Sequence, residues 1–300
     1  MPPFGNTLSF LYKFLLSNKT KETCERFILG VAILSFVVHL LLIFINQFTP
    51  LFGDKSELLG NPIAAIYTPF SFILIYEVYL LIFYLPRSIT TYIGKQYEII
   101  SLIIIRRLCK DLSNLQLSSD WFSIKGDLQF TYDITASVLL FYLLFWFYKL
   151  NNTRKKIAPQ DEDAPTNIER FIQLKKVISV ALVPILIILA AHTLGSWSLN
   201  TFFTGNQDLG SLKNGNNVFF DEFFTVLIIV DVVLLLVSFF YTDKFHKVIR
   251  NSGFFISTIL IRLSFSVEGL INTVLIISAV VFGLLILMIH NTYEKNLKTY

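Results

Sequence analysis

The sequence predicts an all-α integral membrane protein of about eight transmembrane helices, built as two four-helix repeats related by an axis along the membrane normal. Three observations predict it. The 300 residues are 54% hydrophobic and only 15% charged, with a mean hydropathy of +0.63, whereas soluble domains carry about 25% charged residues. Apolar stretches of bilayer-spanning length recur along the chain. Lys and Arg gather in alternate connections between them, the bias that marks cytoplasmic loops. The net charge of +4 is therefore read as topology. It gives no reason to expect a nucleic-acid partner, and the partner the composition implies is the lipid bilayer.

Lys13, Lys19, Lys21 and Arg26 precede the first span, Phe27–Phe48, which lacks a small-residue cleavage site and reads as a retained helix. Pro62–Leu85 is the second, with Pro69 expected to kink or loosen it. Arg87 and Lys95 mark a basic turn before Ile89–Leu108, a shorter third helix holding the run IISLIIIRRL, too apolar to leave in water. Leu128–Leu150 is the fourth. Residues 151–167, NNTRKKIAPQDEDAPTN, form a polar cytoplasmic linker that divides the first repeat, 1–150, from the second, 168–300. Val177–Leu199, containing Pro184, then Phe223–Tyr241, Gly253–Phe265 with its flanks, and Leu270–His290 complete the second repeat.

With the N-terminus in the cytoplasm, the inner segments hold most of the basic residues, and the two long outer connections hold Lys55 and Lys213. Both termini are then cytoplasmic, in an inner or plasma membrane. Arg106, Arg107, Lys110 and Arg262 run against the trend near the outer ends of helices three and seven. The alternative arrangement has six spans, with IISLIIIRRL lying on the surface as an amphipathic helix. Trp121, Trp146 and Trp197 suit interface belts, and Asn200–Glu222, rich in Asn and Gly, reads as a flexible outer surface. Cys24 and Cys109 fall on opposite faces and are expected as free thiols.

The halves look like a duplication. IISLIIIRRL at 99–108 aligns with FISTILIRLS at 255–264 at a constant offset of 156, with five of ten positions identical, among them Ser101 with Ser257 and Arg106 with Arg262. Glu77 follows His39 by 38 residues and Asp231 follows His192 by 39. Arg106 follows Glu77 by 29 and Arg262 follows Asp231 by 31.

An acid in a second helix, a His-x-x-x-Arg turn and an arginine twelve residues on, between Ile and Leu, occur here as Asp231, His246, Arg250 and Arg262, with Ile261 and Leu263 beside it. In these features the segment Phe224–Ile289 resembles the phosphate-starvation-inducible membrane protein family PsiE. The first half departs from the pattern, since its turn has Arg87 and Lys95 without the His-x-x-x-Arg, and Arg106 is doubled by Arg107. The resemblance implies a fused, diverged pair of four-helix bundles. Fusion already supplies a pseudo-dimer, and a further homodimer is compatible with it. The family name records induction and brings no activity with it.

A charge at the bilayer centre costs ~2.5–3.5 kcal/mol on insertion scales, so Asp231 with Arg262, and Glu77 with Arg106, need a reason to exist. Counted from the basic turn of His246, Lys247 and Arg250, with Lys244 before it, Asp231 lies twelve residues from Asp243 and Arg262 twelve from Arg250. Both charges are then roughly 18 Å from one membrane face and can pair. The functional reading is a proton or anion path, and the structural one is a polar lock between helices. His39 and His192 either relay protons or modulate such a path, or rest as neutral imidazoles bonded to a neighbour. Thr258, Arg262 and Ser266 put a polar stripe on helix seven, while Asp133 and Glu268 near helix ends are expected to be solvated.

No nucleotide loop, metal-ligand spacing, paired cysteine motif or nucleophile with a base is present, so neither an enzyme nor a cofactor or metal site is expected. One arginine on helix seven is too few for a voltage sensor. The expected function is passage of a small ion, proton or anion, through a channel or transporter. The alternative is a membrane regulator or accessory subunit in which the charge pairs are structural.

Overall fold

A computed structural model describes residues 4–48, 65, 67–112, 125–157, 166–203, 210–241, 245–267 and 269–296. Among the described residues a short helix, α1 (Phe4–Leu15), precedes eight longer ones: α2 (Asn18–Phe48), α3 (Tyr67–Tyr84), α4 (Ile89–Leu112), α5 (Lys125–Ile157), α6 (Thr166–Phe203), α7 (Gly210–Tyr241), α8 (Phe245–Ser264) and α9 (Leu270–Asn296). Local chemistry sets several of these boundaries. Ser17 caps α2 by accepting from the Thr20 amide at 3.0 Å, and Ser88 caps α4 by accepting from the Thr91 amide at 3.3 Å. Pro86 cannot continue α3, whose end is closed by the Arg87 amide on the Tyr84 carbonyl at 3.0 Å. Gly269, at φ 73°, takes the left-handed conformation that turns the chain from α8 into α9.

Among the described residues, five stretches are long and apolar enough to cross a membrane, by length and composition: Leu8–Asn46, Asp127–Asn152, Glu169–His192, Glu222–Tyr241 and Leu270–Asn296. Thr68–Tyr84 is apolar but shorter. The segments expected as helices three and seven are helical, as α4 and α8, with charged residues along them. On two helices, α8 and α5, polar side chains are buried while large apolar ones are exposed. On α8 the buried side includes Arg250, Asn251, Ser257, Thr258 and Ser264, while Phe245, Ile249, Ile256 and Leu263 are exposed. On α5, Asp127, Asp133, Ser137 and Asn151 are buried while Ile134, Val138, Phe141 and Phe145 are exposed. Polar groups turned in and hydrocarbon turned out is the arrangement a hydrocarbon solvent favours.

Several expected details differ. Pro69 lies in the first turn of α3, where its missing N–H would have had no intrahelical partner, so it does not interrupt the helix; Pro184 lies inside α6. Residues 151–157 continue α5, because Arg and Lys are good helix formers and Asn151 is buried; of the expected linker, 158–165 lie outside the described residues. Most of the expected outer loop 200–222 is helical, as the end of α6 and the start of α7. Lys55, Lys244, Asp243, Trp121 and Glu268 lie outside the described residues.

The chain packs as two compact units that each draw on both halves of the sequence. The first comprises Met1–Phe83, Arg106–Phe130 and Val180–Phe223, and the second Tyr84–Ile105, Thr131–Ser179 and Phe224–Tyr300. In the first, α2 and α3 run antiparallel. Lys21 sits 5.9 Å above the Phe83 ring, Tyr76 donates to Glu25 Oε2 at 2.8 Å, and His39 bonds Thr68. Tyr79 also donates to the Leu15 carbonyl at 2.8 Å, tying the end of α1 to α3.

Candidate functional site

The second unit is organised on an antiparallel α8/α9 pair. Small residues spaced four apart, Gly253 and Ser257 on α8 and Ala279 and Gly283 on α9, let the two backbones approach. Asn272 Nδ2 donates to the Ser264 carbonyl at 2.5 Å and Ser257 Oγ to the Ala279 carbonyl at 2.6 Å. A Cβ on Gly253 would lie 2.7 Å from Ile286 Cγ1. Into this pair α4 inserts Tyr97, fully buried in the notch left by Gly283. Because Ser257 gives its own proton to Ala279, the Tyr97 hydroxyl is the donor in their 2.7 Å bond. The Tyr97 ring stands edge-on to Phe147 at 5.2 Å.

The neighbouring residue carries the first polar group of the site. Gln96 Nε2 donates to Asp231 Oδ2 at 3.3 Å, and Gln96 Oε1 accepts from Thr258 Oγ1 at 3.1 Å. A carboxylate only accepts, so this pairing fixes the amide orientation. Tyr92, one turn earlier on the same face of α4, is 4% exposed, and its hydroxyl is turned toward Gln96 and Asp231. Lys175 of α6 is equally buried; its Nζ donates to the Arg87 carbonyl at 3.2 Å, and its charge acts on both Asp231 and Arg250.

Arg250 leads from this cluster toward the α7/α8 turn. Its Nε and Nη2 donate to Asn251 Oδ1 at 3.2 and 3.0 Å, and its Nη1 faces His290 Nε2 at 3.3 Å. Asn251 Nδ2 donates in turn to Ser238 Oγ of α7 at 3.4 Å. His290 Nδ1 lies 3.2 Å from the His246 carbonyl, with the two imidazoles stacked at 5.3 Å. Five helices, α4, α6, α7, α8 and α9, thus contribute to one buried polar lane.

The expected Asp231–Arg262 pair is not what these helices bring together. Asp231 meets Gln96, Tyr92 and Lys175, whereas Arg262 donates to Thr225 Oγ1 at 3.4 Å. The depth count explains the difference. Arg250 is already inside α8, which begins at Phe245, so Arg262 lies about 25 Å from the turn and Asp231 only about 15 Å from the end of α7. Thr225, at about 24 Å, is level with Arg262.

Glu77 is buried, and Arg106, half-buried, acts on it electrostatically, so the first-half pair is drawn within reach. His39 is half-buried against Thr68. His192 is exposed, because the buried stripe of α6, through Lys175, Ser179, Leu182, Val183 and Leu186, lies on another face of the helix. Of the basic turn, His246 and Arg250 join the lane and Lys247 is half-buried. Asp133, expected to be solvated, is fully buried two turns into α5 and accepts from Thr273 at 3.1 Å. Cys24 and Cys109 are free thiols.

Tyr92, Gln96, Lys175 and His290 were not among the residues expected to carry the site. Lys175 had a readable signal, since it stands at helical spacing from Ser179, Leu182 and Leu186 and so belongs to their face. Gln96 had a weaker one, an amide that hydrocarbon obliges to find a partner. The chain matches no family model, no curated protein and no solved structure.

Proposed function

We propose that the chain is an eight-span integral membrane protein with both termini on the cytoplasmic side of an inner or plasma membrane, and that it passes a small ion. The proton is the species its buried side chains suit best. The two four-helix repeats and the kinship of 224–289 with PsiE-like bundles belong to the same proposal. One observation carries it: the buried Asp231 carboxylate is bonded by an amide, Gln96, with the ammonium of Lys175 and the phenol of Tyr92 around it. A bidentate arginine pair would fix the carboxylate in its charged form, since guanidinium keeps its proton. An amide cannot neutralise a carboxylate, and a lysine can give up its proton, so Asp231 and Lys175 are both able to change charge. Glu77 with Arg106 is the first-half counterpart, and Arg262 stands outside the lane.

The second reading, a regulator or accessory subunit held together by polar bonds, draws on the hydrogen bonds that Gln96, Ser257 and Asn272 make from one helix to another. Proton flux into vesicles under an imposed potential separates the two. Wild-type flux that disappears in Asp231→Asn, at unchanged melting temperature, is the expected outcome. Equal flux in both forms refutes the role of Asp231. No flux in either, with Asp231→Asn less heat-stable, supports the second reading.

A further inference from the structure

We infer that His290 is a proton-binding site whose occupancy decides whether its ring accepts from the Nη1 arm of Arg250, and that it stands at the end of the proton lane nearest the α7/α8 turn. The second clause rests on the proton reading above. The ring geometry allows one neutral form. The His246 carbonyl, 3.2 Å from Nδ1, can only accept, so Nδ1 carries the hydrogen. Nε2 is then a lone-pair acceptor, which is what the Arg250 Nη1 donor at 3.3 Å requires. One tautomer of the neutral ring satisfies both neighbours, with the side chain 1% exposed.

A second proton on the ring must go to Nε2. That nitrogen becomes an N–H facing another N–H, with two positive charges adjoining and no lone pair between them. An acceptor for the new N–H stands one turn along α9: Glu294 Oε2, 3.8 Å from Nε2, on a side chain 19% exposed and so in contact with the exterior. The proton enters at Nε2 from that side, and no covalent bond other than the new N–H is made. Neutral His290 therefore holds Arg250, and protonated His290 turns to Glu294.

Arg250 keeps Asn251 through its Nε and Nη2, so only the Nη1 arm is released. Its charge acts on Lys175, which acts on Asp231, so the arginine that His290 touches is in electrostatic contact with the centre of the lane. The titratable groups facing the ring include Arg250 and His246 from α8 and Glu294 from α9, with Lys175 of α6 behind Arg250. On the α5 side the next residue, Asn291, donates to the Leu150 carbonyl.

The test is a nitrogen NMR titration of the full chain in lipid nanodiscs with labelled His and Arg. The four histidines are assigned with His290→Gln, which keeps an acceptor for Arg250 but cannot titrate. The expected result is His290 in the Nδ1–H form when neutral, and an Arg250 side-chain signal that moves at the same midpoint as His290. Glu294→Gln shifts that midpoint, and in His290→Gln the Arg250 signal stops responding. A neutral ring protonated on Nε2, or an Arg250 signal indifferent to His290, overturns the inference. Joint titration without vesicle flux keeps the proton site and removes its place in a path. Flux with independent His290 and Arg250 signals does the reverse.

Discussion

Gly283→Ala is the sharpest probe of how the second unit is packed. Its new Cβ would fall on the Tyr97 hydroxyl, with Tyr97 Cζ at 2.8 Å and Cε2 at 3.3 Å. The ring has no route to solvent, since Tyr97 is 0% exposed and braced by Phe147 at 5.2 Å. Overpacking of this kind costs about 1–3 kcal/mol, and a buried hydroxyl pushed off Ser257 costs about 1–3 kcal/mol more. Against this, replacing Gly by Ala inside a helix recovers at most about 1 kcal/mol. The net expectation is a loss of about 1–6 kcal/mol. Tyr97→Phe alone should cost about 1 kcal/mol, because Ser257 keeps its bond to Ala279. In the double variant the clashing oxygen is absent, so the loss should fall short of the sum by at least about 1 kcal/mol. The free energy of unfolding in mixed detergent micelles, measured for all four forms, gives this coupling directly. Additive losses, or a Gly283→Ala form more stable than the wild type, would refute the packing argument.

Two further outcomes follow from the same geometry. Gly253→Ala drives a Cβ into Ile286 at 2.7 Å; a loss of about 1–3 kcal/mol is expected, and Ile286→Val, which trims the opposing side chain, should restore part of it in the same unfolding measurement. Thr273→Val removes a donor from the buried Asp133 carboxylate; hydrogen bonds to charged groups are worth about 1.5–3 kcal/mol, and Asp133→Asn should lessen the penalty because an amide can reorient toward its remaining neighbours.

Much of the secondary structure is legible in the sequence because it depends on local chemistry. Pro86 ends α3 and Ser88 opens α4 by rules that involve a few adjacent atoms. Long apolar runs become long helices because hydrocarbon leaves backbone groups no other partner. Burial is partly legible too: the spacing of Lys175, Ser179, Leu182 and Leu186 along α6 already separates a lysine facing inward from His192 facing out.

Pairing across helices is a different matter, because it depends on absolute depth and on azimuth at once. A helix that begins at Phe245 instead of Arg250 moves Arg262 by about 7 Å along its axis, enough to exchange Asp231 for Thr225 as its neighbour. Each residue also turns by about 100°, so charges at matched depth still need matched faces, and Gln96 of α4 has the face that Asp231 meets. The tautomer of His290 lies further from the sequence still. It is set by a carbonyl of His246 and a guanidinium of Arg250, two groups forty or more positions away along the chain. Composition, periodicity and breakers establish which segments are helical and which can lie in lipid; the packing of α4, α6, α7, α8 and α9 establishes which polar groups meet, because a buried hydrogen bond is decided over distances shorter than one helical turn.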